Sequence, residues 1–364
     1  MRSLVVGLVA LTLGVVPVVV SAPPATAAAG EQYVALGDSY AAGLGVGTID
    51  TSANAQPCGR SMSNYPHQLA TALGLVLTDV TCSGAVVADL AGSQETGGTT
   101  VPPQVDALGP DTRLVTLTVG GNDLGFSRIA QYCASLSGPD GPVSGGDGQA
   151  ADCESHYVTG GDDTLAADLT DTVGPALTAA LATIEQRAPQ AAVLLVDYPA
   201  IVPDAANTPG AGCWTSPLES QDSLPFTTAD LPYLQQTQAR LNQLLADVAV
   251  TAGASVTSVY ADSLAHTACG SQPWVNGVRV TGFSVAPSSL HPNAAGITAI
   301  TAAAIPAARS LLAGGTVAAP PTISTPDAGS GSGVPGWVWG AVAVVALLVV
   351  IVGVGAFRVV RRRR

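Results

Sequence analysis

Short, almost wholly apolar runs alternate along this chain with longer stretches of helical spacing. Residues 34–36 end in Gly37-Asp38-Ser39, residues 114–119 in Gly120-Gly121-Asn122-Asp123, and residues 192–196 in Asp197-Tyr198-Pro199. Residues 75–80 and 255–260 are less regular runs of the same kind. Such runs, rich in β-branched residues and closed by turn formers, predict strands buried on both faces of a parallel sheet. Between them the spacing predicts helices over 63–73, 165–187, 227–252 and 293–312. Strand and helix in alternation predict an α/β domain. Residues 138–161, rich in Gly, Asp and Ser, are expected to form a long surface loop.

The two ends break this rhythm. An apolar run follows Arg2, then small residues with Ala25-Thr26-Ala27 as a cleavage site, so residues 1–29 are expected to be a signal peptide. Residues 337–357 carry no charge, and a helix of that length spans about 31 Å, close to a bilayer's hydrocarbon thickness. Trp337 and Trp339 stand at its start, and Arg358 and Arg361 to Arg364 follow it. A basic cluster stays on the cytoplasmic side. The expected topology is one transmembrane helix in the cell membrane, an extracellular body, and a cytoplasmic tail over 358–364. Residues 314–336, rich in Pro, Ser, Thr and Gly, read as a flexible stalk. Residues 30–313 remain as one domain, long enough for a well-buried core.

Charge narrows the partners. The chain of 364 residues has 13 basic and 26 acidic side chains, and every basic one is arginine. Seven arginines and all 26 acids fall in the exported part, a formal charge of −19. Such a surface argues against nucleic acid. Six cysteines, Cys58, Cys82, Cys133, Cys153, Cys213 and Cys269, read as three disulfides in an oxidising compartment. Of the fifteen pairings that six cysteines allow, the sequential one (58–82, 133–153, 213–269) is favoured, because it staples three successive loop regions. No Cys-x-x-Cys motif or histidine cluster accompanies them, so no metal site is expected.

In open α/β sheets, sites form beyond the carboxyl ends of the strands. Ser39 follows the first run directly, and Gly37 permits the tight turn that would expose its hydroxyl as a nucleophile. The same residues also suit a plain turn with a helix-capping serine. Asn122 could offer its amide as an oxyanion donor, or simply close a turn. Gly84, in Cys82-Ser83-Gly84, lets a backbone N–H approach a ligand closely. His291, in Leu290-His291-Pro292-Asn293, stands just before the last helix of the body, where it could swing over the cleft as a base. Of the other histidines, His67 in a helical pattern and His156 in the loop fit surface roles, and His266 is expected to pack near Cys269, with a role as fallback base the alternative.

Taken together, these blocks resemble the SGNH, or GDSL-type, hydrolase family. The resemblance runs from about Tyr33 to Ala308 and is nearest to the secreted, disulfide-bonded bacterial lipases and esterases. It implies a three-layer αβα, flavodoxin-like fold around a parallel sheet of about five strands. It implies Ser39 as nucleophile and His291 as base, with an oxyanion hole from the N–H groups of Ser39 and Gly84 and the side chain of Asn122. The reaction would be ester hydrolysis through an acyl-enzyme, without metal or organic cofactor.

One position departs from the family. The usual Asp three residues before the histidine is replaced by Ser288. The resemblance implies that a main-chain carbonyl, of Ser288 or Ser289, orients His291 instead. The alternative acid is Asp262, should the fold bring it to His291. The expected partner is an ester, whether lipid, small acyl ester or acetylated glycan. Phospholipase activity and a non-catalytic binding module are the remaining readings. A monomer, with the membrane contacted only through the C-terminal helix, is the expected state.

Overall fold

The computed structural model describes residues 30–144, 152–220, 222–281 and 284–318. The expected signal peptide (1–29), residues 319–336 of the expected stalk, the apolar run 337–357 and the basic residues 358–364 lie outside the described residues, as do residues 145–151 of the expected surface loop.

The first half builds β1 (Gln32–Gly37), α1 (Ser39–Ala42), α2 (Tyr65–Leu73), β2 (Val76–Asp79), α3 (Val87–Ala91), the hairpin β3 (Gln94–Thr96) and β4 (Thr99–Val101), β5 (Thr112–Thr118), α4 (Gly121–Leu124) and α5 (Phe126–Cys133). The second half builds α6 (Cys153–Tyr157), the hairpin β6 (Val158–Thr159) and β7 (Asp162–Asp163), α7 (Thr164–Asp168), α8 (Gly174–Arg187), β8 (Ala192–Leu195), α9 (Leu231–Thr251), β9 (Ser255–Val256) and α10 (Val259–Ser263). A hairpin of β10 (Val280–Thr281) and β11 (Ser284–Val285) precedes α11 (Ala294–Leu312). Five strands pair in parallel in the order β2-β1-β5-β8-β9. Counting only these strands, that is the flavodoxin-like order 2-1-3-4-5.

Successive side chains of β1 serve opposite layers, as the pleat requires. Tyr33 and Ala35 join Leu114, Leu194, Tyr65 and Leu69 of α2, and Ile297, Ile300 and Ala304 of α11. Val34 and Leu36 join Val115, Leu117, Leu177 and Ile184 of α8, and Leu241 and Leu245 of α9. The result is the three-layer αβα body that the alternating runs imply. By length and composition alone α11 could cross a bilayer. Its Ile297, Ile300, Ala304 and Ala308 are instead buried in this core.

Local chemistry sets the element ends. The Asn64 side chain caps α2 by accepting from His67 N–H, Pro66 lies in the first turn, and Gly74 ends the helix at φ 68°. The Asn293 side chain caps α11, accepting from Ala295 N–H at 2.9 Å and Gly296 N–H at 3.0 Å.

Three expectations need correction. Within 255–260 only Ser255–Val256 is strand, because the Asp197 carboxylate accepts from the N–H groups of Val259 and Tyr260, both at 2.9 Å, and starts α10 there. The run 165–187 is divided by a wide π turn at Leu169–Val173, just ahead of Pro175, whose missing N–H interrupts the ladder. Residues 138–161 are not simply loop. They include α6, begun by the Asp152 cap on Ser155 N–H at 2.7 Å, so His156 is helical, and β6, whose partner β7 follows at once. The disulfides join Cys58 to Cys82, Cys133 to Cys153 and Cys213 to Cys269.

Candidate active site

The strand order reverses between β1 and β5, and beyond their carboxyl ends lies the crevice where such sheets bind ligands. Gly37 closes β1 at φ 138°, and a Cβ there would come within 2.4 Å of the Thr118 carbonyl oxygen. Only glycine lets β1 run so close to β5 before turning. Asp38 N–H donates to Thr118 O at 2.9 Å, and the Asp38 carboxylate caps α1 by accepting from Tyr40 N–H at 2.9 Å. Ser39, 7% exposed, is thereby set at the head of α1.

His291 meets it from the other end of the chain. Its Nε2 lies 2.7 Å from Ser39 Oγ across a separation of 252 residues. Its Nδ1 lies 2.8 Å from the Ser289 carbonyl oxygen. That oxygen can only accept, so Nδ1 carries the proton and Nε2 offers a lone pair to the serine hydroxyl. Ser288 O instead accepts from His291 N–H at 3.3 Å, and Asp262 sits exposed on α10. Burial holds the His291 pKa below its ordinary 6.5, opposed by the bond to Ser289.

The turn before His291 is strained and heavily tied. Leu290 has φ 61°, the single positive value among described non-glycine residues. Its carbonyl accepts the Tyr40 hydroxyl at 2.6 Å, and the Tyr40 ring lies 5.1 Å from the imidazole. Asn276 Nδ2 donates to the carbonyls of Ser288 at 3.1 Å and His291 at 3.2 Å, and Asn276 N–H donates to His291 O at 2.8 Å.

The remaining two motif residues lie on adjoining loops. Cys82 N–H donates to Gly37 O at 2.9 Å, bringing the loop that carries Gly84 to the end of β1. Gly84 is exposed at φ 80°. Neither Ser39 N–H nor Gly84 N–H meets an acceptor among the described residues. Asn122 Nδ2 donates to Ala85 O at 2.9 Å, so one amide hydrogen ties it to the Gly84 loop and the other is left over. The other histidines are elsewhere: His67 bonds Asn64 at 2.8 Å, His156 stacks on Tyr132 at 3.6 Å, and His266 stacks on Trp274 at 4.3 Å.

Sequence reasoning missed the group at the centre of these contacts. Tyr198, fully buried, donates its hydroxyl to Asp38 Oδ2 at 2.5 Å and accepts from Gly121 N–H at 3.0 Å. Its ring meets Tyr40 edge-on at 4.9 Å. Burial pushes the Asp38 carboxyl up to about 7, held back by the bonds from Tyr198 and Tyr40. Burial also raises the Tyr198 phenol well above 10, so it remains a donor. Asp197-Tyr198-Pro199 is visible as the end of a strand, but nothing in it shows that the phenol reaches Asp38. Asn276 carries no sequence signal at all.

An αβα body in which a serine and a histidine meet at the switch point of the sheet defines a class of hydrolase. The model described as the GDSL-like lipase/acylhydrolase family matches residues 35–299, and the chain belongs to that family. It is an ester-hydrolysing enzyme. It is 39% identical over 259 residues to lipase 2 of Streptomyces coelicolor, covering 70% of this chain and 78% of that one. It is 36% identical over 229 residues to an esterase of Streptomyces scabiei, covering 58% of this chain and 64% of that one. Among solved structures it is similar to phospholipase A1 from Streptomyces albidoflavus NA297, with TM-score 0.57, 27% identity, and coverage of 76% of this chain and 98% of that one. It is also similar to the extracellular lipase of Streptomyces rimosus, with TM-score 0.58, 25% identity, and coverage of 78% and 99%.

The Tyr198 hydroxyl serves two buried groups at once. Tyr198→Phe is expected to destabilise the protein by about 1–3 kcal/mol, the usual cost of unpaired buried polar groups. It should also raise the Asp38 pKa further, because the bond that lowers it is gone. Urea unfolding measures the first effect, and an unchanged midpoint would show that the phenol is not a structural tie.

Proposed function

We propose that the enzyme hydrolyses carboxylic esters through an acyl-enzyme on Ser39, with His291 as general base. The observation that carries this reading is the 2.7 Å contact between Ser39 Oγ and an imidazole nitrogen whose partner nitrogen is occupied by a main-chain oxygen. Ser39 Oγ attacks the ester carbonyl carbon as its proton passes to His291 Nε2. The N–H groups of Ser39 and Gly84 and the remaining amide hydrogen of Asn122 receive the oxyanion. His291 returns the proton to the leaving alcohol. Water then attacks the acyl carbon as its proton passes to His291, which returns it to Ser39 Oγ as the acyl–oxygen bond breaks and the acid departs. The Ser289 carbonyl fixes tautomer and orientation, which is part of what an acid does in a triad. Ser288 serves only the backbone of the turn.

The names of the relatives, lipase 2 and esterase, favour acyl esters of lipids and small alcohols as substrates. The solved relative named phospholipase A1 adds phospholipids to that class. We further propose the arrangement read from the two ends: a signal peptide at 1–29, a hydrolase domain at 30–313, a stalk at 314–336, a membrane helix at 337–357 and a cytoplasmic tail at 358–364, with a monomeric body outside the cell. Three disulfides support the extracellular placement. Helix α11 begins just past His291 and runs about 28 Å to Leu312. The stalk therefore leaves from the pole opposite the crevice, which leaves the crevice open.

Three measurements test this. Ser39→Ala should abolish both labelling by a fluorophosphonate probe and turnover of a short p-nitrophenyl ester; labelling that persists would place the nucleophile elsewhere. The base must be neutral to act, and burial lowers the His291 pKa. The kcat/KM profile should therefore rise with pH through a midpoint below 6.5 and stay level above it. A midpoint above 6.5 would contradict the lowering of the His291 pKa by burial. The full chain should resist alkaline carbonate extraction from membranes, whereas the chain cut at residue 313 should be soluble; release of the full chain would refute the anchor.

A further inference from the structure

Gln94 lies on the short hairpin β3–β4, outside every motif described above, and is 8% exposed. Its Nε2 donates to the Ser83 carbonyl oxygen at 2.9 Å. That oxygen belongs to the peptide unit whose other end is the Gly84 N–H. A trans peptide is planar, with C=O and N–H pointing opposite ways. Holding the Ser83 oxygen toward Gln94 therefore turns the Gly84 N–H away from it.

The loop is pinned on both sides of this unit. Ser83 N–H donates to Cys58 O at 3.0 Å, and Ala85 N–H donates to Cys82 O at 3.1 Å, over the Cys58–Cys82 disulfide. Ala85 O receives Asn122 Nδ2 at 2.9 Å. Between these points one peptide plane is left to choose its direction. Glycine adopts either sign of φ with little preference, so the backbone at Gly84 does not make that choice itself. Gln94 Nε2 is the side-chain donor that bonds the carbonyl end of this unit. The opposite side of its amide contributes nothing: Gln94 Oε1 is buried with no partner among the described residues. A buried unpaired oxygen costs stability, so fold stability is a poor reason for an amide at this position.

We propose that Gln94 is a positioning residue, setting the Ser83–Gly84 peptide plane so that the Gly84 N–H faces the developing oxyanion. The inference rests on the reading of Gly84 as an oxyanion donor. It touches the reacting atoms only through that peptide, so its loss acts on the transition state more than on substrate binding.

The test compares the wild-type enzyme with Gln94→Met, which keeps the volume and loses the donor, and Gln94→Asn, which keeps the donor and falls short by a methylene. Turnover of a p-nitrophenyl ester should show kcat reduced roughly ten- to a hundredfold, less than the full loss of an oxyanion donor, with KM nearly unchanged. Serine labelled with carbonyl 13C and glycine labelled with 15N together select the five Ser–Gly peptides of the chain by NMR, and the signal that Ser83→Ala removes is that of Ser83–Gly84. In the wild type its N–H should move downfield when an alkylboronic acid forms a tetrahedral adduct on Ser39, and in both variants it should not. No shift in the wild type would overturn the oxyanion reading of Gly84. A wild-type shift retained by the variants, with kcat unchanged, would overturn the role of Gln94 alone. A crystal structure of the wild type with a phosphonate on Ser39 decides the matter even if neither variant folds. Gly84 N should bond the phosphonyl oxygen while Gln94 still bonds Ser83 O. Gly84 bonded to that oxygen with Gln94 turned away would refute the proposal.

Discussion

A single hydrogen bond, from Ser39 Oγ to His291 Nε2, joins the first strand of the sheet to the turn before its last helix. A neutral bond of this kind contributes about 1 kcal/mol net, far too little to hold two distant elements together. The dependence runs the other way: the elements hold the bond. On the serine side the work is done by the close pairing of β1 with β5, which needs Gly37. On the histidine side it is done by Asn276 and Tyr40, which hold the carbonyls of Ser288, Leu290 and His291. Among the described residues the imidazole bonds the Ser289 carbonyl and the Ser39 hydroxyl, and no carboxylate.

The charge at the site lies elsewhere. Asp38, adjacent to the serine, is buried and meets a phenol and a peptide N–H instead of a cation. Its carboxyl is accordingly poised near neutrality, at about 7. Tyr198 answers that carboxyl and also holds Gly121 at the loop of Asn122, so two polar blocks that end different strands share one hydroxyl. A shift in either loop would be felt in the other, because packed interiors leave little slack.

Much of this was legible before any coordinates. Val34 to Leu36 are apolar at every position, and Leu114 to Val119 at all but Thr116 and Thr118, because both faces of the sheet are covered. The helices expected over 63–73 and 293–312 begin close to their expected starts, where the structure shows Asn64 and Asn293 as caps. What the sequence hid falls into two kinds. One is competition between local preferences: Ser255 to Tyr260 reads as strand throughout, yet Asp197, just past the end of the neighbouring strand β8, draws Val259 and Tyr260 into a helix. The other is the direction of main-chain atoms. The choice between Ser288 and Ser289 turns on a left-handed Leu290, which leucine's own preferences argue against. Tyr198, Asn276 and Gln94 act on carbonyls and peptide hydrogens, or on a side chain far away in sequence, and residue type alone does not reveal such partners.

The contact that steadies the imidazole has an evolutionary corollary. A carboxylate in that place can be erased by one codon change, whereas the oxygen behind Ser289 is carried by all twenty amino acids. Drift at this position leaves the contact in place, while the Ser289 hydroxyl, which bonds Arg279 N–H, is a separate and expendable feature. What inheritance must preserve here is a bend in the chain at Leu290, held by the Tyr40 hydroxyl and the Asn276 amide.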